Sequence, residues 1–461
     1  MKKFLLLLAL IASVTASARV VTDGQTYPEV NGIKIVNQWI FDRVHSGTAY
    51  TSNDICSQRA RTATMDQGII YVARSEERLV VIGNDSIMQS VIHRFSAEDG
   101  SQLEDLPLTL DGAPYGRFLG VASIGRDSFH HIWVAPMTST AQPTVPIYMV
   151  DTETGELTLI VEIDKGDAIQ RTDYVDVIGD LTREQAECNI MTVAGAIADP
   201  GFATLYRMHA DQYGDWEGGF DGDSYQDVAM FWPMNKAGFS LAPVIKMIEG
   251  SDDESRYSGE LFYIDCFDTP PTIYAVWLDV WDTFEDVDPD LWPQAQPNGC
   301  MEFTLEDRHF LVYVNADMNG NGHGCQANIC EMGEDQTLAG MTKYWTIPAD
   351  SLGKVNDSGL RVHCFDVEYG VDDEGYEEVT LFTFKAYNGM AVYKIGRNVG
   401  SQTDPGIPGD VNRDGEVNIA DVNAVITGIL NGSSIFDCDV NGDGAVNIAD
   451  VNAVISIILR S

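Results

Sequence analysis

Asp410 to Leu430 reads DVNRDGEVNIADVNAVITGIL and Asp439 to Leu459 reads DVNGDGAVNIADVNAVISIIL, and the two segments agree at 17 of 21 positions. Each opens with D-x-N-x-D-G, the pattern of an oxygen-lined calcium loop. A hard divalent cation takes six to eight oxygens, and the spacing supplies them. In the first loop Asp410, Asn412 and Asp414 stand at positions 1, 3 and 5. Glu416 offers its carbonyl at position 7, Asn418 acts at position 9, and Asp421 closes the shell at position 12. The second loop repeats the set with Asp439, Asn441, Asp443, Ala445 through its carbonyl, Asn447 and Asp450. Gly415 and Gly444 stand at the sharp turn, where a side chain would resist a positive φ. The expected cofactor is two calcium ions.

A helical period follows each loop. Val422, Val425, Ile426 and Ile429, and likewise Val451, Val454, Ile455 and Ile458, recur at three- and four-residue steps. They are expected to pack against each other as a small two-helix core. Such a core buries little, so calcium is expected to supply much of the folding free energy. Upstream, residues 398–408 read as a linker, and Gly400 to Gly409 carries two prolines and no helical period. Asn431 to Cys438 is too short for a helix entering the second loop. Each loop thus has an exiting helix and no entering one, unlike a paired EF-hand.

On these residues, 409–461 resembles the dockerin family. The resemblance implies tandem calcium-binding loop–helix repeats that plug into cohesin modules of scaffold proteins, often those gathering polysaccharide-degrading enzymes. Asp at position 12 fits that family. Positions 10 and 11, often hydroxyl-bearing recognition residues in clostridial dockerins, are Ile419-Ala420 and Ile448-Ala449. The implied contact with a cohesin-like partner is therefore more apolar. Ile419, Ala420 and Asn423, matched by Ile448, Ala449 and Asn452, are the expected partner-binding residues. Ile419 and Ile448 are expected as equivalent anchors of a module that can present either face.

Residues 19–397 have a different texture. Short β-branched and aromatic runs alternate with acidic or Gly-bearing turns, as in Gly68–Val72, His131–Val134, Ile147–Val150, Glu260–Ile264, Phe310–Val314 and Met390–Lys394. Units recur near residues 62, 117, 172, 237, 300 and 361. A spacing of roughly fifty to sixty residues, with three or four strands each, suits a β-propeller blade. The expected fold is therefore mainly β, a six- or seven-bladed β-propeller followed by a small α-helical dockerin. Ile33 to Phe41 is expected to join the last blade and close the ring. A β-sandwich assembly is the alternative. In pattern the region resembles secreted propeller domains of Bacteroidetes.

The N-terminus adds a compartment. Lys2-Lys3, the apolar run Phe4–Ala12 and Ala16-Ser17-Ala18 form a signal peptide over residues 1–18. A secreted protein, extracellular or held at the cell surface through the dockerin, is expected, with no membrane span. The chain carries 70 Asp+Glu against 28 Lys+Arg, a net charge of −42, which repels nucleic acid. Eight scattered cysteines are unlike a small disulfide scaffold, although Cys325 and Cys330 are spaced for a small-loop bridge.

Candidate chemistry in the body is sparse. Asp317–Gly322 begins like a calcium loop but has Asn328 at position 12, so a polar turn is expected. Trp277–Trp292 and Asp215–Asp227 mix aromatics with carboxylates, which can stack on and hydrogen-bond sugars, or can belong to core and solvated loops. His130, His131 and His209 are expected as strand residues, and no nucleophile motif is present. Three functions remain: a glycan- or protein-binding propeller, a glycoside hydrolase or polysaccharide lyase, and a structural component of an extracellular assembly.

Overall fold

The computed structural model describes residues 22–42, 60–116, 120–139, 141–164, 172, 174–182, 184, 188–193, 201–208, 230–232, 247–249, 259–265, 272–275, 280–283, 286–292, 300–315, 326–333, 337–349, 352, 363–372, 374–386, 388–399, 409, 411, 417–431, 438, 440–441 and 446–459. Up to Val399 these residues form six sheets, five of four strands and one of six. The innermost strands are Ala60–Asp66, Ser123–Arg126, Tyr174–Gly179, Met247–Glu249, Cys300–Leu305 and His363–Val371. Each packs on the next, and the sixth packs on the first, so the sheets close into a six-bladed β-propeller.

The closure is the one expected from the sequence. Lys34–Asp42 pairs antiparallel with Gly389–Gly396, so both ends of the domain share blade 6. The closing strand also reaches blade 1, where Trp39 Nε1 donates to the Ala97 carbonyl at 2.8 Å. Chain length runs on as blade 1 forms: Ile69–Ile82 and Asp85–Ser96 make an unusually long hairpin.

Blade sheets are covered on both faces by their neighbours, which explains the near-continuous apolar runs. Phe310, Leu311, Val312 and Tyr313 are all buried, as are Met390 to Tyr393. The cores accordingly lie between blades. Among the described residues the largest joins blades 5 and 6, where Phe303 stacks on Phe310 at 5.2 Å and Tyr344 meets Phe310 edge-on at 5.2 Å. Gly125 is forced by packing, because a Cβ there would stand 2.4 Å from the Trp133 ring.

Inner strands cannot form ladders across blades, so side-chain oxygens take over that task. Asp366 accepts from Met65 N–H (3.0 Å), Thr62 from Ile124 N–H (2.8 Å), and Ser123 from Val175 N–H (3.0 Å). These three links step round the ring from blade 6 to 1, 1 to 2 and 2 to 3.

After the ring come two helices, α1 (Ile419–Asn431) and α2 (Ile448–Ile458), packed on each other. Val422, Val425, Val451 and Val454 are buried between them, as expected. Ile426, Ile429 and Ile455, expected beside them, are exposed. Each helix carries two apolar stripes, and periodicity alone does not say which one is turned inward. No helix among the described residues is long and apolar enough to cross a membrane.

Candidate functional site

At one mouth of the ring axis, charged side chains from three blades meet. Arg126, the last inner-strand residue of blade 2, donates to the Val367 carbonyl at 2.7 Å and to Asp366 Oδ1 at 3.4 Å. It also stands 4.0 Å from Asp66. The Asp366 charge, and then that of Asp66, raise the Arg126 pKa above its usual value against the opposing effect of burial. Asp66, itself buried, bonds His130 Nδ1 at 2.6 Å, and the His130 side chain is half exposed. His130 takes a left-handed φ of 68°. It and His131 lie in the turn between Ser123–Arg126 and Ile132–Ala135, a correction to the strand placement expected from sequence. Hydrogen-bonding side chains displace the strand there: Asp127 pulls the turn together.

Asp127, His131 and Asp180 bring three ligand-type atoms together, yet the cluster does not fit a cation. Asp127 Oδ1 accepts from the Phe129 and His131 N–H groups, and Oδ2 from His131 Nδ1 and the Leu181 N–H. Four donors, two per oxygen, use the lone pairs a metal would need. The group is a clasp between blades 2 and 3.

The aromatic and acidic stretches fare unevenly. Trp292 packs on a buried cluster and donates Nε1–H to the Val287 carbonyl at 3.1 Å, so it is a core residue. Trp277, Asp215–Asp227, Asp317–Gly322 and His209 lie outside the described residues. Cys330 carries a buried free thiol 3.7 Å from the Tyr313 hydroxyl, which removes the bridge to Cys325 allowed by spacing. Burial pushes that thiol up to about 12.

At the C-terminal end, Asp410, Asn412, Asp414, Glu416, Asp439, Asp443 and Ala445 lie outside the described residues, as do Gly415 and Gly444. Asn418, Asp421, Asn441, Asn447 and Asp450 are described, and the two repeats match in their cap bonds while differing by one residue in the loop amide that each Asp accepts. Asp421 and Asp450 are fully buried. Asp421 accepts from Val411 N–H (2.7 Å) and Asn418 N–H (2.8 Å), Asp450 from Asn441 N–H (3.1 Å) and Asn447 N–H (2.9 Å). Asn418 and Asn447 each accept from the amide two residues on, at 2.8 and 2.9 Å. The Asn and Asp pair thus forms a reciprocal cap on each helix, turning a carboxylate back toward its loop. The side-chain donors that the two loops offer a cation are all oxygens. That chemistry fits calcium.

Outside the caps, Ile419 and Ile448 are 67% and 66% exposed. Asn423, Ala449 and Asn452 are exposed and Ala420 is half-buried. Ile426 and Ile455 continue the same face at helical spacing, and Leu459 extends it beyond α2. Sequence reasoning missed these three. The signal was present as steps of seven from Ile419 and Ile448 and of eleven from Ile448.

Residues 408–459 match the family model of the dockerin type I domain. This segment is a type I dockerin domain. Type I dockerin domains bind calcium through their two repeats, and a dockerin implies a cohesin partner. No curated protein matches the chain. Among solved structures the chain is similar to a DUF4623 family protein from Bacteroides eggerthii, at 12% identity, covering 75% of this chain and 72% of that one, with a TM-score of 0.47. It is also similar to AofleA from Arthrobotrys oligospora, at 8% identity over 70% and 78% of the two chains, with a TM-score of 0.34. A third is an alpha-L-arabinanase from Penicillium chrysogenum complexed with arabinobiose, at 12% identity over 57% and 76%, with a TM-score of 0.35. The dockerin accounts for the repeat, the caps and the exposed isoleucines together. The axis cluster and the rest of the ring lie outside it.

Proposed function

We propose that this is a secreted protein whose dockerin anchors a glycan-binding propeller to a cohesin-bearing scaffold or cell-surface partner, in the service of polysaccharide use. In this reading residues 1–18 are removed on export, 19–397 form the ring, 398–408 link it, and 409–461 plug into the partner. The observation that carries it is the dockerin, since a docking module is useful only with cargo to deliver.

Calcium is held by Asp410, Asn412, Asp414, Glu416, Asn418 and Asp421 in the first loop. The second uses Asp439, Asn441, Asp443, Ala445, Asn447 and Asp450. The ion supplies a fixed positive centre that gathers oxygens otherwise repelling one another. Asp421 and Asp450 connect that centre to the helices, because the same carboxylates cap α1 and α2. Ile419, Ala420 and Asn423, with Ile448, Ala449 and Asn452, then meet the cohesin. Two matched faces let the module bind either way round. Replacing Ile419 or Ile448 alone by Asp leaves affinity nearly intact, and replacing both abolishes capture of the protein by immobilised cohesin. Loss of capture in either single variant would refute the two-face arrangement.

A second reading, a glycoside hydrolase or polysaccharide lyase, is favoured by one observation. His130 presents a half-exposed imidazole oriented by buried Asp66 at the axis mouth, the geometry of a positioned acid–base group. Release of reducing ends or unsaturated sugars from bound glycans, lost in His130→Ala, would select it over the binding reading. Silence against every glycan would leave a structural component.

A further inference from the structure

Blade 1 carries an arm that neither the dockerin nor the axis cluster uses. Beyond Arg74 its two long strands, Ile69–Ile82 and Asp85–Ser96, shift register and go on pairing, from Arg78 with Gln89 to Ile82 with Asp85. Across the shift Ser75, Glu76 and Glu77 stand opposite the single Ser90, an irregularity that re-aims the strand. The root is pinned from two sides. Ser75 Oγ donates to the Val121 carbonyl at 2.9 Å and accepts the Val121 N–H at 3.0 Å. Glu77 accepts from Arg74 at 3.3 Å and bonds His93 at 2.6 Å. At the tip the chain reverses through Gly83-Asn84, with Gly83 at a left-handed φ of 64°, as a two-residue hairpin turn requires.

Cross-strand partners share a face of a hairpin, and so do residues two apart. Leu79, Val81 and Met88 therefore lie on one face of the arm, exposed by 63%, 68% and 37%. Ile82, on the other face, is 51% exposed. The two edges of the arm differ. Along Asp85–Ser96 the Ser90 N–H donates to the Tyr115 carbonyl at 2.8 Å. A Cβ at Gly116 would stand 1.9 Å from the Met88 carbonyl oxygen, so the chain itself closes that edge. Along Ile69–Ile82 the ladder from the inner strand ends where Ala60 meets Arg74. Among the described residues nothing bonds to the same edge from Arg78 to Ile82. Soluble proteins guard open edges with Lys, Pro or covering chain, yet Leu79 to Ile82 reads Leu-Val-Val-Ile.

We propose that this edge pairs with the same edge of a second copy of the chain, about a two-fold axis at Val80. Antiparallel pairing there sets Leu79 opposite Val81 of the second copy, Val80 opposite Val80, and Arg78 opposite Ile82. Leu79 and Val81 of both copies then join in one apolar patch, with Met88 of each copy beside it. The charges fit as well. Glu76 and Glu77 come toward the Gly83-Asn84 turn of the second copy, which carries no charge. Arg78 shares a row and a face with Asp85 of the second copy, one strand beyond Ile82. Five paired residues bury well under the ~800 Å² per partner of a standard interface, so the contact belongs to the weak, transient class. A net charge of −42 also keeps free copies apart. An arm fixed at its root loses little freedom on pairing, and copies that dockerins gather at one site meet at effective concentrations on the order of 1 mM. The arm thus acts where the chain is assembled, whatever the ring binds.

The test is analytical ultracentrifugation of the full chain in calcium and physiological salt, from micromolar protein up to about 1 mM. The expected result is a monomer at the low end and a dimer at the high end. Leu79→Lys with Val81→Lys sets lysine opposite lysine and weakens dimerisation tenfold or more, and Leu79→Glu with Val81→Glu does the same. Mixed together, the lysine and glutamate variants pair with each other and restore the dimer. Both positions are exposed, so the melting temperature of each variant stays near that of the unaltered protein. A dimer that the lysine variant leaves untouched places the contact elsewhere and overturns the arm pairing. A mixture of the two variants that stays monomeric overturns the register and with it the proposal. A chain monomeric at every concentration overturns it as well, and slow exchange of the outward amides between Arg78 and Ile82 would then assign the edge to another segment of the same chain.

Discussion

The ring and the dockerin solve the same problem with different means. Between blades 5 and 6 alone, 21 buried side chains form one cluster, including Phe303, Phe310, Trp345 and Phe365. Among the described residues the dockerin core has seven: Val411, Val422, Ala424, Val425, Cys438, Val451 and Val454. At roughly 1.5–3 kcal/mol per large aliphatic buried, the larger cluster offsets the conformational entropy of its strands. Seven small residues do not do so for a module of some fifty. The dockerin also holds two buried carboxylates, Asp421 and Asp450, that only an ion or hydrogen bonds can satisfy. The lesson is that buried acidic residues serve different scales in the two regions. In the ring they accept amides from a neighbouring blade; in the dockerin Asp421 and Asp450 accept amides of their own loop and helix cap.

The contrast can be broken most forcibly from the ring side. Phe310→Ala should cost the ring about 3–5 kcal/mol, because the ring loses its stacked and edge-on partners together. The ring's melting transition falls while the dockerin's does not move. A shift of both would mean that the regions fold as one unit.

A smaller effect comes from His93, buried on Asp85–Ser96. Burial pushes its pKa down, but hydrogen bonds to Asp105 (2.8 Å) and Glu77 (2.6 Å) outweigh that and raise it to about 9. The same His93 bond holds the Asp105 carboxyl below its usual value. A folded pKa raised above the unfolded value near 6.5 adds stability that is complete below about pH 6.5 and lost as pH rises through about 9. The shift corresponds to about 3 kcal/mol at most, and partial exposure of Asp105 and Glu77 trims it to roughly 1–3 kcal/mol. Denaturant midpoints of the ring should fall between pH 6.5 and 9.5 in the native protein and stay flatter in His93→Gln. Equal slopes would remove the clamp from the account.

The smallest change expected is a gain. Asp307→Gly relieves a left-handed φ at the exposed corner turn, and should stabilise the ring by a few tenths to about 1 kcal/mol after the entropy of the new glycine is subtracted. A destabilised variant would show that Asp307 makes a contact worth more than its strain.

Legibility followed sequence distance. The dockerin repeat, both helices and the closing strand could be read because their signals are local or repeated. Unit starts near 62, 172, 300 and 361 fall within two residues of the inner strands at Ala60, Tyr174, Cys300 and His363. The links that set the axis cluster could not be read. Thr64 and Asp366 meet across 302 residues and Arg126 and Val367 across 241, with no period to announce them. The inward helical stripe was ambiguous for another reason: Ile426 and Ile455 are as apolar as Val425 and Val454, so hydrophobicity did not discriminate. Exposure of a second apolar stripe is itself informative, since it is costly unless covered by a partner.

The central claim, a self-sufficient ring joined to an ion-dependent dockerin, is tested most directly by scanning calorimetry of the full chain in calcium and in excess chelator. Two transitions are expected in calcium. Chelator should abolish the smaller, with loss of helical circular dichroism, and leave the larger within a degree or two. Helix retained at full amplitude in chelator, or one transition that shifts as a whole, would contradict it.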